Sequence, residues 1–429
     1  MTALLTSRST SRASTVQKVV SPGGIQAWLV EDYAVPLVAF DFAFAGGASQ
    51  DPQGKAGAVT MMAGILDEGA GDLDADAFHR ALDDKAIEIS FSADRDHTQG
   101  RLKTLTRNID AAFELLRMAV QSPRFDDDAI ERIRSQMIAG LKREANDPDA
   151  MAGKLWREMA SPNHPYARSA RGDLDSLPTI QRQDLVDLRR KILARDHLKI
   201  AVVGAIDAAH LARLLDHVFA GLPAKSDLTS IADVAIAPEG GRKIIDLDIP
   251  QSTIRFGLPG IARKDPDYMI ASVVNHILGG GVFSARLFRE VREKRGLAYS
   301  VYSQLASFDH LAIFAGGTST KNERAAESLS VIEEEITKLA DEGPSEDELA
   351  KAKKYLIGSY DLRFDTSTKI ASQLVQLQLE DFDVTYLDQR NDLIEAVTLE
   401  DAKRVAKRLF AGKKLLVAVA GRPEGMVNS

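Results

Sequence analysis

The sequence predicts an α+β molecule built from two homologous halves. Three observations carry this reading: the chain repeats itself at one long offset, each repeat mixes strand-like and helix-like segments, and the 429 residues exceed one ordinary domain. Asp184–Gly204 (DLVDLRRKILARDHLKIAVVG) and Asp401–Gly421 (DAKRVAKRLFAGKKLLVAVAG) each give an amphipathic helix, a polar turn and a buried strand closed by glycine. FDDDAIERIRSQMIAGL from Phe125 is answered by PSEDELAKAKKYLIGSY from Pro344, and Asp-Pro precedes a helix at both Asp51 and Asp265. The pairs keep their order, at offsets of 214 (Asp51 to Asp265) to 219 residues (Phe125 to Pro344). An offset of half the chain means a duplicated domain, not a solenoid.

The elements follow in order. Residues 1–17 are Ser/Thr/Arg-rich, carry no acidic residue and lack the apolar core of a secretory signal, so they are expected to be a disordered leader. Residues 18–224 form the N-terminal half. Trp28–Gly46 gives two strands around a Pro-bearing turn, and SFSADRDHTQGRLKTL gives two more by alternation. Helices are expected near Ile109–Val120, Asp127–Asn146 and Gln183–Ile192. Residues 225–241, with Pro238, Gly240 and Gly241, read as a linker. Residues 242–429 repeat the scheme through GLPGIA, RGLAYSVYSQLAS and FDHLAIFAGGTS. Strands joined as hairpins predict, in each half, a mostly antiparallel sheet with helices packed on one face.

Composition excludes several functions. The chain has no Cys, which removes disulfides, thiolate zinc sites and a Cys nucleophile. A net charge of −8 argues against a general nucleic-acid binder. No apolar run reaches the ~20 residues of a membrane span, so no transmembrane segment is expected. The sequence does not fix the compartment: a periplasmic location is favoured if a leader was removed, and a cytoplasmic one otherwise. None of the eight His stands in a metal-binding motif. His210 and His217 share a helix face with no Glu between them. Asp96-His97 and Asp309-His310 recur between the halves; duplicated loop structure accounts for the repeat better than a catalytic dyad, which needs a third orienting group.

One segment stands apart: GGGVFSARLFREVREKRGLAYSVYSQ, Gly279 to Gln304. A helix is expected from about Phe283–Ser284, burying Leu287, Phe288 and Val291 and stopping at Lys294-Arg295-Gly296, where cations and glycine suit a C-terminus. A strand follows, so Arg292 sits in the last helical turn and Tyr299 at the strand start. Two readings stand. The pair is an ordinary corner with a snorkelling Arg, or its donors grip peptide carbonyls over a cleft.

Arg292-Glu293-Lys294-Arg295-Gly296-Leu297-Ala298-Tyr299, with the flanking LGGGVFSARLF, resembles the arginine–tyrosine motif of the pitrilysin/insulinase family of zinc metallopeptidases. The likeness extends over nearly the whole chain, from the Asp-Pro stretch between Gly47 and Gly57 to the closing VAVAG strand. It implies that the two α+β halves form a clam shell enclosing an extended peptide. The family's H-x-x-E-H helix matches Gly57–Gly64, where Thr60, Ala63 and Gly64 replace His, Glu and His; Gly140 stands where the distal Glu belongs. The resemblance therefore implies a non-catalytic, substrate-binding subunit that carries no cofactor and pairs as a heterodimer with a zinc-bearing homologue. In that pair Tyr299 would bond the oxyanion at the scissile carbonyl, Arg292 a nearby carbonyl, and Gly279, Gly280 and Gly281 would contact substrate. The alternative is a scaffold or peptide-binding module of the same fold with no role in proteolysis.

Overall fold

LVAFDFAFA is apolar at all but one position, which suits a strand covered on both faces. The computed structural model, which describes residues 12–237 and 239–429, puts it in the interior of a six-stranded sheet. The first sheet runs β1 (Gln17–Val20), β2 (Gln26–Glu31), β6 (Lys199–Gly204), β3 (Leu37–Ala45), β5 (His97–Leu105), β4 (Glu88–Ala93). The second runs β7 (Gly241–Ile245), β11 (Leu416–Ala420), β8 (Gln251–Pro259), β10 (Ala312–Lys321), β9 (Ala298–Ser307). With β1 set aside the two orders are identical. β2 with β6, and β7 with β11, are parallel; every other pair is antiparallel. β3 and β8 are nine residues each and start 214 residues apart, at Leu37 and Gln251. The α+β class and the duplication are thus as the sequence implies.

Two details differ from expectation. The strands around Pro36 do not pair with each other. β6 enters between them, so Val202 lies opposite Leu29 on one side and Phe40 on the other. KIAVVG is buried along nearly its whole length, and a strand that apolar is better satisfied with a partner on each edge than at a sheet margin. The second difference concerns the helices. Phe40, Phe42 and Phe44 face the half's own helices, packing with Phe113 and Phe219. The opposite face of the sheet is also covered, by a helix from the other half. Ala371, Leu374 and Val375 of helix Ser367–Leu379 lie on Ala39, Ala43, Ala201 and Val203 of β3 and β6. Reciprocally, Trp156 and Ala160 of helix Pro148–Ala160 lie on Ile313, Leu416 and Ala418 of the second sheet. These crossing helices are equivalents, 13 residues each and offset by 219 (Pro148 to Ser367). Each also donates a side-chain N–H to the foreign sheet: Trp156 Nε1 to Leu416 O at 3.0 Å, and Gln378 Nε2 to Ile200 O at 2.9 Å. Alanines on the covered faces let the helices approach closely.

Residues 1–11 of the expected leader lie outside the described residues, whereas residues 12–17 are structured. Arg12 pairs with Asp361 at 2.5 Å and stacks on Phe364, and β1 begins at Gln17. The linker is stitched to both halves: Gln50 Nε2 donates to Thr229 O at 3.0 Å, Val234 N donates to His310 O at 2.9 Å, and Ile236 is buried with Trp156 and Tyr166. No helix of the described residues is long and apolar enough to cross a membrane.

Candidate functional site

The helix matching the family's zinc motif is short, Ala58–Ala63, and buries Val59, Met61, Met62 and Ala63. Its start is held by the Asp51 carboxylate, which accepts from Gly57 N at 2.7 Å and Val59 N at 2.8 Å. Burial pushes the Asp51 carboxyl up to about 6 despite those bonds. Thr60 donates its hydroxyl to Ala170 O at 2.5 Å. Ala63 is fully buried, Gly64 ends the helix, and Gly140 lies within helix Asp127–Glu144. Structural and catalytic zinc sites take at least three N, O or S side-chain ligands. One hydroxyl already committed to a carbonyl, beside two glycines and an alanine, does not fit zinc. Among the described residues no group of three His, Asp or Glu could hold a metal ion. His210 and His217 instead face Asp110 (3.2 Å) and Glu114 (2.7 Å) on the neighbouring helix.

The arginine–tyrosine segment is built by three local departures from regular structure. The chain winds with five-residue hydrogen bonds at His276–Gly280 (Gly281 N to His276 O, 2.8 Å) and again at Phe288–Glu293 (Lys294 N to Arg289 O, 2.9 Å). Such π turns in place of the expected α-helix shift the facing of every following side chain. Gly296 then adopts φ +58°, where a side chain is disfavoured, and Leu297 N caps Val291 O at 2.9 Å. Finally β9 bulges. Ala298 pairs with Thr320 and Val301 with Thr318, so Tyr299 and Ser300 together oppose Ser319 alone. A bulge re-aims its side chains. Ala298 and Val301 both turn inward while Tyr299 projects, 82% exposed.

The result is a stacked pair. The Arg292 guanidinium lies 4.5 Å from the Tyr299 ring centroid and 4.7 Å from that of Phe288, which is itself buried. Phe288 meets the exposed Phe283 edge-on at 5.1 Å. Stacking between rings fixes the guanidinium plane while leaving its N–H groups unspent. The neighbouring cations are all engaged. Arg286 makes bonds of 2.8 and 2.6 Å to Glu348; Arg289, Lys294 and Arg295 converge on Glu290 at 3.5, 2.7 and 2.8 Å. Burial works against the Glu290 carboxylate, yet the bonds from Lys294 and Arg295 outweigh it and hold its carboxyl at about 2. Among the described residues Arg292 alone of these cations has no carboxylate partner.

The glycine turn has a packing explanation. A Cβ on Gly279 would stand 2.4 Å from Ser303 Oγ and 2.7 Å from Ser303 N on β9, and one on Gly281 2.8 Å from His276 O. Gly279 and Gly280 also line a recess along β9 with Asn275, Tyr302 and Gln304. Sequence reasoning placed Arg292 and Tyr299 at adjoining ends of two elements, and they do meet. It took Phe288 as core and missed that it is the platform under Arg292. It also missed the bulge, although two apolar residues three apart, Ala298 and Val301, break strand alternation and signal one.

A duplicated α+β chain with this pair, and with a helix that lacks zinc donors, defines an inactive-type relative of a metallopeptidase. The chain is similar to the pitrilysin/insulinase (peptidase M16) family: residues 179–356 match the family model described as "Peptidase M16 inactive domain". It is 28% identical over 338 residues to the non-peptidase homolog YmxG of Helicobacter pylori, covering 78% of each chain. It is also 28% identical over 326 residues to the probable inactive metalloprotease YmfF of Bacillus subtilis, covering 72% of this chain and 73% of that one. The crystal structure of a peptidase M16 inactive domain from Pseudomonas fluorescens superposes with a TM-score of 0.89 at 28% identity, covering 95% of this chain and 97% of that chain.

Proposed function

We propose that this chain is the substrate-gripping, non-catalytic subunit of a heterodimeric zinc peptidase. It binds an extended peptide and presents Arg292 and Tyr299 to the bond held at the zinc of a homologous partner. The observation that carries the reading is the unspent Arg292 guanidinium, fixed between Phe288 and the exposed Tyr299. Leaving a cation without a carboxylate while four neighbours are paired suits a group reserved for a ligand's carbonyl oxygens. β9 supports the reading too. It ends its sheet with no strand beyond it among the described residues, so its free edge offers main-chain groups to an extended peptide read mostly through its backbone. Phe283 and Tyr355, 72% and 61% exposed, add apolar surface to this half, as expected of a face that another chain covers.

The experiment is reconstitution with the zinc-bearing homologue and a peptide substrate. The pair cleaves; neither chain alone does so at a comparable rate. Tyr299→Phe and Arg292→Ala each lower turnover by ~10²–10³ while the heterodimer still assembles. Cleavage by this chain alone, or undiminished turnover in both variants, overturns the assignment. Assembly with no gain of proteolysis identifies the scaffold reading instead.

A further inference from the structure

The two Asp-His repeats meet. The β4–β5 turn (Asp94–His97) and the β9–β10 turn (Phe308–Leu311) occupy related positions in the two halves and touch at the junction. Asp309 N donates to Asp96 Oδ2 at 3.2 Å, and His310 N to the Tyr166 hydroxyl at 3.2 Å. Tyr166 donates that hydroxyl to Asp96 Oδ1 at 2.5 Å. The His97 imidazole stands between carboxylates of both halves, with Nδ1 3.6 Å from Asp94 Oδ1 and Nε2 3.6 Å from Asp309 Oδ2. Its side chain is only 14% exposed.

We infer that His97 is a pH-sensitive latch between the halves, closed when its imidazolium bridges Asp94 and Asp309 and loosened when it loses its proton.

The charges facing His97 decide the sign. From its own turn come Asp94, Asp96 and Arg95; Arg95 is turned away, donating to Tyr166 O at 2.7 Å and lying over the Tyr166 and Phe308 rings. From the facing turn comes Asp309; His310 is taken up by Asp233 at 3.0 Å. Across the same cavity the remaining cations are paired, Arg263 with Glu380 and Lys264 with Asp381, both at 2.7 Å. His97 is therefore the cation set among Asp94, Asp96 and Asp309. Burial disfavours its imidazolium, but Asp94, Asp309 and Asp96 outweigh that and raise its pKa above the ordinary value. A raised His pKa contributes stability that is complete below the unfolded value and disappears as pH rises through the folded one. Asp96 is raised too, by burial first and then by the Asp309 charge, while the hydrogen bonds it accepts from Tyr166 and Asp309 N favour its ionised form and oppose the shift.

The Asp309 and His310 amides report the latch because both donate across it. In hydrogen exchange by mass spectrometry on the full chain, corrected for intrinsic rates, residues 308–311 are expected to lose protection between pH 6 and pH 8, by about tenfold for each unit of His97 shift. His97→Gln makes that protection independent of pH. Asp309→Asn brings the His97 pKa, read by C2-hydrogen exchange, back toward its ordinary value. Wild-type protection that does not change with pH, a His97→Gln chain that keeps the pH response, or an Asp309→Asn chain with unaltered His97 titration each overturns the latch. The last measurement is decisive even if His97→Gln fails to fold.

Discussion

Asp41 is the one carboxylate in an otherwise apolar strand, 6% exposed under the crossing helix and 3.2 Å from Arg101 Nε. Burial outweighs that cation and pushes its carboxyl up to about 6. The unfolded chain ionises at the lower ordinary value, so the fold loses stability as pH rises from about 4 to 6 and stays at the lower level above. Asp41→Asn is expected to stabilise the protein by about 1–2 kcal/mol at pH 8 and to do little below pH 4, where both states are protonated. Urea midpoints at the two pH values check this; equal effects at both contradict it. At this scale the sequence was most legible where residue identity and spacing are enough: they put Arg292 beside Tyr299 and left Ala63, Gly64 and Gly140 with no side-chain ligand atom and Thr60 with only a hydroxyl. It was least legible where a side chain acts through its neighbours. Nothing in the order of letters says that Glu290 takes Arg289, Lys294 and Arg295 and leaves Arg292 free.

Helix Pro148–Ala160 and strand β8 meet through a tight contact. A Cβ on Gly257 would come within 2.4 Å of Trp156 Cζ2 and 2.7 Å of Phe314 O. Trp156→Ala removes a buried indole and orphans its contact with Leu416 O, costing roughly 3–5 kcal/mol. Gly257→Ala costs ~1–3 kcal/mol by overpacking, and less when Trp156 is already alanine. A double-mutant cycle on denaturation free energies reads the difference; strict additivity would mean that the two residues do not touch. Periodicity gives a helix its apolar face but not the sheet that face will cover, so the crossing was hidden, and neither Pro148–Ala160 nor Ser367–Leu379 was among the helices expected from the sequence. The π turns were hidden for a related reason. A one-residue change in winding leaves Leu287, Phe288 and Val291 on the buried side, as an α-helix would.

Over the whole molecule the repeat at one offset gave away the duplication, and the matching strand orders follow from it. The reciprocal exchange of helices ties the halves into one folding unit. Residues 242–429 made alone should be insoluble, because β8 and β11 lose the Trp156 cover and helix Ser367–Leu379 loses its sheet. A chain cut within residues 225–237 should still reassemble when both pieces are made together, since the exchanged contacts, not the connection, hold them. Co-purification of the pieces tests this; a soluble, monomeric, helical 242–429 fragment would contradict it.

That exchange also sets a timetable. Leu416 leaves the ribosome 260 residues after the indole that needs it. At ~5–20 residues per second, the helix waits roughly 13–50 s with its aromatic face bare. During synthesis the early half is the vulnerable one, and chaperones that shield nascent apolar surface have their longest task there.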